Sequence, residues 1–321
     1  MVNPQPDVPH AVGVDVGGTK ILSGLINAEG TVLATARRAT PKDGPTLVTE
    51  IEAAVREVSA GHDTALPVGC GFPGLVTRDG LTRYGPNIAL REYPLRDALR
   101  ERLATPIVVV ENDANAAAWA EFVVGAGRSV RDTMVMFTLG TGVGGGLIVG
   151  GRLHRGAHGF AGELGHVVLE VGGQPGPSGV DGELEAYSSG SAVVRMGREA
   201  HAAGRWVGTP LEGPLAPDGE AITRAARDCV APAVAIMDSV GRYLGIGAAA
   251  FINALDPEMI VVGGGAAAAG ELVLGPARKA LTAHVLGSAH RPEVPMVSAE
   301  LGPEAGMIGA GLLALLTAAG A

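Results

Sequence analysis

Two glycine-rich turns, Asp15-Val-Gly-Gly-Thr-Lys20 and Leu139-Gly-Thr-Gly-Val-Gly-Gly-Gly146, each end an apolar run of strand character. Glycine lets a backbone approach an anion closely, so that successive N–H groups converge on phosphate oxygens. Gly17, Gly18, Thr19 and Lys20 make the first candidate phosphate turn, and Gly140, Thr141 and Gly142 the second. Thr19 and Thr141 add hydroxyl donors, and Asp15 is a candidate ligand for a divalent cation, directly or through water. Neither turn closes with Gly-Lys-Ser/Thr, so neither is a Walker loop. The second also fits G-x-G-x-x-G over 140–145, the dinucleotide fingerprint of an NAD-dependent oxidoreductase, but that pattern needs a helix directly after it. Here Leu147-Ile-Val149 and Gly150-Gly151 follow, which predicts a hairpin instead.

Asp113 is the candidate general base. It stands just past a β-branched run at 106–110, where open α/β sheets present their ligands, and Asn112 beside it can orient a hydroxyl. The competing reading is that Asp113 only caps the helix that follows. Glu163-Leu-Gly-His166, with Glu185 downstream and Asn87 upstream, supplies the convergent polar groups that a polyhydroxylated substrate needs. A metal pair or a solvated loop is the alternative, but zinc sites draw four ligands, usually with closely spaced cysteines, and none lies near His166.

These residues need a scaffold. Helical spacing at 45–60, a short strand at 68–72, a helix at 96–103, a buried strand at 106–110 and a helix at 114–124 predict an α/β fold. The order strand, glycine turn, strand, turn, strand is written twice, at 12–30 and at 135–151, which suggests two related lobes facing one cleft. A loop-rich stretch follows over 151–190 and helices dominate 191–254. A strand at 259–262 then leads through Gly263, Gly264 and Gly265 into an apolar segment at 266–274.

The chain has 321 residues and a net charge of −9 with scattered basic residues, so it carries no nucleic-acid footprint. Cys70 and Cys229 are too few for a disulfide framework and are expected to be reduced, buried and cytoplasmic. Residues 1–10 lack the regions of a signal peptide. The uncharged stretch 133–151 is broken by glycine, and the apolar stretch 305–321 suits a buried terminal helix better than a bilayer span. No membrane partner is expected.

Taken together, Asp15-Val-Gly-Gly-Thr-Lys20, Gly85-Pro-Asn87, Glu111-Asn-Asp-Ala-Asn115, Thr138-Leu-Gly-Thr-Gly142, Ala161-Gly-Glu-Leu-Gly-His166, Leu184-Glu-Ala-Tyr187 and Asp256-Pro-Glu-Met-Ile-Val-Val-Gly-Gly-Gly265 resemble the ROK sugar kinases, in particular their actinobacterial glucokinase-like members. The resemblance implies the two-lobed actin-like (ribonuclease H-like) ATPase fold with a cleft between lobes. It suggests a small lobe from 1–113 plus 305–321 and a large lobe from 114–304. It implies ATP and Mg²⁺ as cofactors, with Asp15 near the metal, the two hairpins on the phosphates and Gly263–Gly265 behind the adenosine. Asp113 would take the proton of the sugar's primary hydroxyl, which attacks the γ-phosphate; Asn87, Asn112, Glu163, His166 and Glu185 would hold the ring hydroxyls. A homo-oligomer is also implied.

One departure stands out. The family commonly carries a zinc site of one histidine and three cysteines, and here the cysteine positions read Gly176, Ser178 and Glu183. No structural zinc is expected, and the acceptor is expected to be glucose, an amino sugar such as kanosamine, or a cyclitol of an antibiotic pathway. Polyphosphate stands beside ATP as an alternative donor. A sugar-sensing regulator is the alternative of another class, disfavoured because such members place a helix-turn-helix domain before the first hairpin.

Overall fold

The computed structural model describes residues 9–62, 65–85, 88 and 90–320. In chain order the elements are β1 (His10–Val16), β2 (Lys20–Asn27), β3 (Val32–Ala39), α1 (Gly44–Val58), β4 (Val68–Phe72), β5 (Leu75–Val76), β6 (Thr82–Tyr84), β7 (Arg91–Tyr93), α2 (Leu95–Leu103), β8 (Val108–Asn112) and α3 (Asp113–Val123). They continue with β9 (Met134–Leu139), β10 (Val143–Val149), β11 (Arg152–Leu153), α4 (Glu185–Ser188), α5 (Gly190–Ala202), α6 (Gly219–Arg227), α7 (Ala231–Leu255), β12 (Met259–Gly263), α8 (Glu271–His284), β13 (Met296–Ser298) and α9 (Ala305–Ala318). The chain divides into two units, the first of 1–131, 146–162 and 300–321, the second of 132–145 and 163–299.

In the first unit the sheet order is β3-β2-β1-β4-β8. The β1–β2–β3 meander is antiparallel, whereas β4 runs parallel to β1 and to β8, as helical crossovers require. One face is covered by α1, whose Leu47, Val48, Ile51, Val55 and Val58 are buried at helical spacing. Against the other lies α9, buried along ten consecutive residues from Ala305 to Ala314. Gly69 and Gly309 make that packing close: a Cβ on the first would overlap the carbonyl of Ala310, and on the second that of Ala116. The apolar 305–318 segment is therefore a core helix. A small sheet, β5-β6-β7, is added beyond β4; strands of two or three residues give no readable alternation, and the sequence pattern does not predict them.

The second unit builds on β10-β9-β12-β13, with β12 parallel to both neighbours, and the division between units runs through β10. The stretch 133–151 thus forms strands. No helix follows Gly145, so the dinucleotide fingerprint has no structural counterpart. Helix α7 packs on α8, where Gly241 and Gly245 lie against the backbone of Val273 and Ala277. By length and composition α7 is long and apolar enough to cross a membrane, but eleven of its residues are buried within this unit. The segment at 266–274 is not one helix: a 3₁₀ turn at Ala266–Ala269 stops at Gly270, with φ of 62°, before α8 begins. Cys70 is buried as expected, whereas Cys229 is exposed, because it turns the chain between α6 and α7 at φ of 59°.

Candidate active site

In the first unit, Asp15 sits one residue before the end of β1 and the turn at 17–19 leads directly into β2. The carbonyls of this turn are tied back. Thr40 donates its hydroxyl to Gly17 at 2.7 Å and its N–H to Thr19 at 3.1 Å, while Lys42 Nζ lies 2.9 Å from the Gly18 carbonyl. Oxygens that would repel an anion are thereby occupied, and Thr19 and Lys20 stand exposed. The sequence reading had no place for Thr40 and Lys42, although Thr40-Pro-Lys42 directly after the third strand is a signal that could have found them.

At the end of β8 the helix cap is Asn112, not Asp113. Asn112 Oδ1 accepts the N–H of Asn115 at 2.9 Å, and its Nδ2 donates to the Gly74 carbonyl at 3.1 Å. Asp113 opens α3 and is released from capping; its Oδ1 accepts only the adjacent N–H of Ala114 at 2.9 Å. Burial pushes its carboxyl above the ordinary aspartate range. Asp15 is raised to about 7, first by burial and then by the charge of Asp113, with Lys20 opposing. Two carboxyls that each disfavour the other's ionisation form a pair short of positive charge, a donor set suited to a hard divalent cation.

In the second unit the turn at 140–142 is held in the same manner. Gly190 N–H donates to the Gly140 carbonyl at 2.8 Å, and Ser191 gives its N–H at 3.1 Å and its hydroxyl at 2.8 Å to Thr141. These donors come from the start of α5, which Ser189 caps through the N–H of Ala192. Gly142 leaves room for Glu185, whose Oε2 accepts the Val143 N–H at 2.6 Å. Gly264, at φ of 88°, lies where a Cβ would strike the Leu139 backbone, which sets the third glycine turn against the end of β9. A cavity of about 720 Å³ is lined by Gly140, Thr141, Gly190, Ser191, Thr223 and Gly265 among others. Ser191 and Thr223 escaped the sequence reading, although Ser188-Ser-Gly-Ser191 shortly after Glu185 marks a helix start.

His166 ends a single 3₁₀ turn that Glu163 opens, with Nε2 3.9 Å from the Glu163 carboxylate. Its Nδ1 is 2.8 Å from Glu183 Oε2. That carboxylate is fully buried and also takes the Ser178 hydroxyl at 2.6 Å and the Ser178 N–H at 3.3 Å. Two of the positions where the family pattern has zinc-binding cysteines are thus joined to the histidine by hydrogen bonds. Partial burial disfavours imidazolium at His166, but the hydrogen bond and charge of Glu183, with Glu185 and Glu163 behind it, raise its pKa overall. Glu183 in turn is lowered, because the donors from Ser178 and His166 outweigh its burial. Asn87 lies outside the described residues.

Comparison with known proteins bears on this arrangement as a whole. The chain is 40% identical over 309 residues to a glucokinase of Streptomyces coelicolor, covering 94% of this chain and 96% of that one. A ROK family glucokinase of Streptomyces griseus, solved in complex with glucose and AMPPNP, superposes with a TM-score of 0.85 at 39% identity, covering 96% of this chain and 99% of that one. A ROK hexokinase of Thermus thermophilus gives 0.80 at 33% identity, covering 97% and 100%. The family model described as ROK matches residues 11–316, and the chain belongs to the ROK family.

Proposed function

We propose that this ATP-dependent sugar kinase phosphorylates the 6-hydroxyl of glucose or of a close analogue such as an amino-glucose. The observation that carries the reading is Asp113: a half-buried carboxylate at the first turn of α3, relieved of capping by Asn112 and raised in pKa by its surroundings. A raised pKa makes the carboxylate a stronger base than an ordinary aspartate. The kinship with glucokinases, one of them solved with glucose and AMPPNP, supports both the acceptor and the donor.

In this reading Asp113 takes the proton of the acceptor hydroxyl as that oxygen attacks the γ-phosphate of ATP. Phosphoryl transfer asks mostly for positioning and charge neutralisation, so the rest of the machinery is binding. Asn87, Asn112, Glu163, His166 and Glu185 hold the ring hydroxyls. Gly17–Lys20 and Gly140–Gly142 donate to phosphates, and Gly265 with the 720 Å³ cavity of the second unit receives the adenosine. Mg²⁺ would be held at Asp15, where it supplies the charge neutralisation that phosphoryl transfer requires. The carboxylate–histidine–serine arrangement at 166, 178 and 183 fixes His166 through hydrogen bonds, and this departure from the family's cysteine pattern favours a second acceptor class, amino sugars or cyclitols.

A coupled ATP-consumption assay across glucose, mannose, glucosamine, kanosamine, N-acetylmannosamine and a valiolone-type cyclitol tests the reading. Turnover with glucose or an amino-glucose, giving the 6-phosphate, is expected. Turnover confined to a cyclitol would move the acceptor, and binding of sugar without any turnover would make this a regulator.

A further inference from the structure

The first unit holds a second cavity, of about 570 Å³, along β8, which is the end strand of its sheet. Its lining includes four arginines, Arg78, Arg96, Arg152 and Arg155, and a single carboxylate, Glu111. Asp15, Asn112, Asp113 and both phosphate turns lie outside it. In a chain of net charge −9, four guanidiniums in one cavity are unexpected, since like charges repel unless something neutralises them.

Internal partners neutralise only part of this charge. Arg155 pairs with Glu111, and Arg78 gives Nε, at 2.8 Å, and one Nη to the Gly156 carbonyl. Arg96 reaches the largely exposed Asp97 at 3.4 Å and lies within electrostatic reach of Asp79, which is fully solvated. The side chain of Arg152, on the two-residue strand β11, has neither hydrogen bond nor ion pair among the described residues. The planar forks left over match the oxygens of a phosphate group.

Glu111 links this cavity to Asp113. Its side chain is 5% exposed, and Oε1 accepts from the Asn112 N–H and from Asn115 Nδ2, both at 3.0 Å. Its other oxygen is the one that Arg155 holds. The carboxylate therefore braces the turn carrying Asn112 and Asp113 while facing the arginine cavity.

We infer that this cavity binds a phosphate group, free or on a small metabolite, through Arg96 and Arg152, and that the bound anion draws Arg155 away from Glu111. The turn at 111–113 then loosens and transfer slows. This kinetic consequence rests on the base role of Asp113; the binding does not.

Isothermal titration of the full chain with inorganic phosphate and, separately, with glucose 6-phosphate tests it, in the presence of saturating AMPPNP and glucose. One saturable site is expected, weakened at least about tenfold by Arg152→Ala or Arg96→Ala, the loss of one charge-assisted hydrogen bond. The sugar and ATP KM values of both variants should stay at the wild-type level. Tighter binding of the sugar phosphate would identify a phosphorylated metabolite as the ligand, and equal binding would identify the bare phosphate group. Absence of a saturable isotherm, or one that both substitutions leave unchanged, would overturn the site. An anion that binds but leaves kcat unaltered would overturn the coupling through Arg155. Failure of AMPPNP and glucose to bind would count against the kinase reading alone.

Discussion

The Asp15–Asp113 pair of the first unit and Glu183 of the second are handled in opposite ways. In the first, Asp15 and Asp113 lie near each other with few donors, and both are raised. In the second, Glu183 has no exposed surface but takes donors from Ser178 and His166, and it is lowered. Desolvation pushes all three upward, so desolvation alone does not decide what a carboxylate does. A buried acid without partners holds a proton near neutral pH and is ready to exchange it or to take a cation. One whose lone pairs are filled is a fixed anion that can orient a neighbour.

Asp113→Asn should break this contrast most severely. It keeps the shape of α3's first turn and deletes the base, so turnover should fall by about 10²–10⁴-fold while AMPPNP binding and melting temperature hold. A coupled assay beside thermal denaturation checks both halves, and a variant retaining most of its turnover would place the base elsewhere. The wild-type acid limb of kcat/KM should lie above the ordinary carboxylate range, since rate is lost as falling pH protonates a raised Asp113.

Asp15→Asn is next. Asp15 moves from 3.8 to about 7 on folding, so the folded state binds its proton more tightly than the unfolded chain does. That stabilisation is complete below 3.8 and is lost as pH rises through 7. Asparagine imitates the protonated acid, so the variant should match wild type near pH 4 and be more stable at pH 8, by on the order of a few kcal/mol at most. Melting curves at the two pH values measure this directly. Equal stability at both would mean that Asp15 is not buried as an unpartnered acid.

How much of this contrast the sequence discloses follows from which interactions are local. The hairpins at 15–20 and 139–146 were legible because glycine runs between apolar strands have few other uses, α1 and α2 because their apolar residues recur at helical spacing, and β4 and α3 because short apolar runs end in turn or capping residues. The tie-back by Thr40 and Lys42 spans more than twenty positions, and that by Ser191 spans fifty, so a local motif can mark the donors but not the carbonyls they reach. The sequence reading named Asp113 as the base but left open whether it also caps the helix. Both residue types cap well, and only the hydrogen bond from Asn115 decides which does. Glu183 registered as a missing cysteine; that a carboxylate there would join His166 to Ser178 depends on a loop folding back over seventeen residues.

Glu183→Gln sharpens the other side of the comparison. The amide keeps the volume and one acceptor but loses the charge, so the His166 pKa should fall from its raised value, which a titration by NMR reads. The pair is strongest in a defined window. Glu183 stabilises above 4.5 and loses this as pH drops through its lowered pKa, while His166 stabilises below 6.5 and loses it as pH climbs through its raised one. Within that window the variant should raise the sugar KM by about tenfold, corresponding to about 1.5 kcal/mol for a hydrogen bond to a charged group, and leave the ATP KM alone. A shift of both constants together would point to a general loss of structure in place of a misplaced His166.

Ser178→Ala gives the smallest effect and the most specific one. It removes a 2.6 Å hydroxyl donor from Glu183 and leaves the Glu183–His166 contact in place. If the carboxylate orients His166 chiefly through its charge, the loss should be about 0.5–1.5 kcal/mol of stability with less than a threefold rise in sugar KM. If instead Ser178 pins the carboxylate, the serine variant should match Glu183→Gln in KM while the His166 pKa stays raised. Measuring KM and the His166 titration on the same two variants therefore separates charge from geometry. Both readings leave the imidazole of Ser178→Ala raised, and they part in KM, which stays within about threefold of wild type if charge decides and reaches the Glu183→Gln level if geometry does.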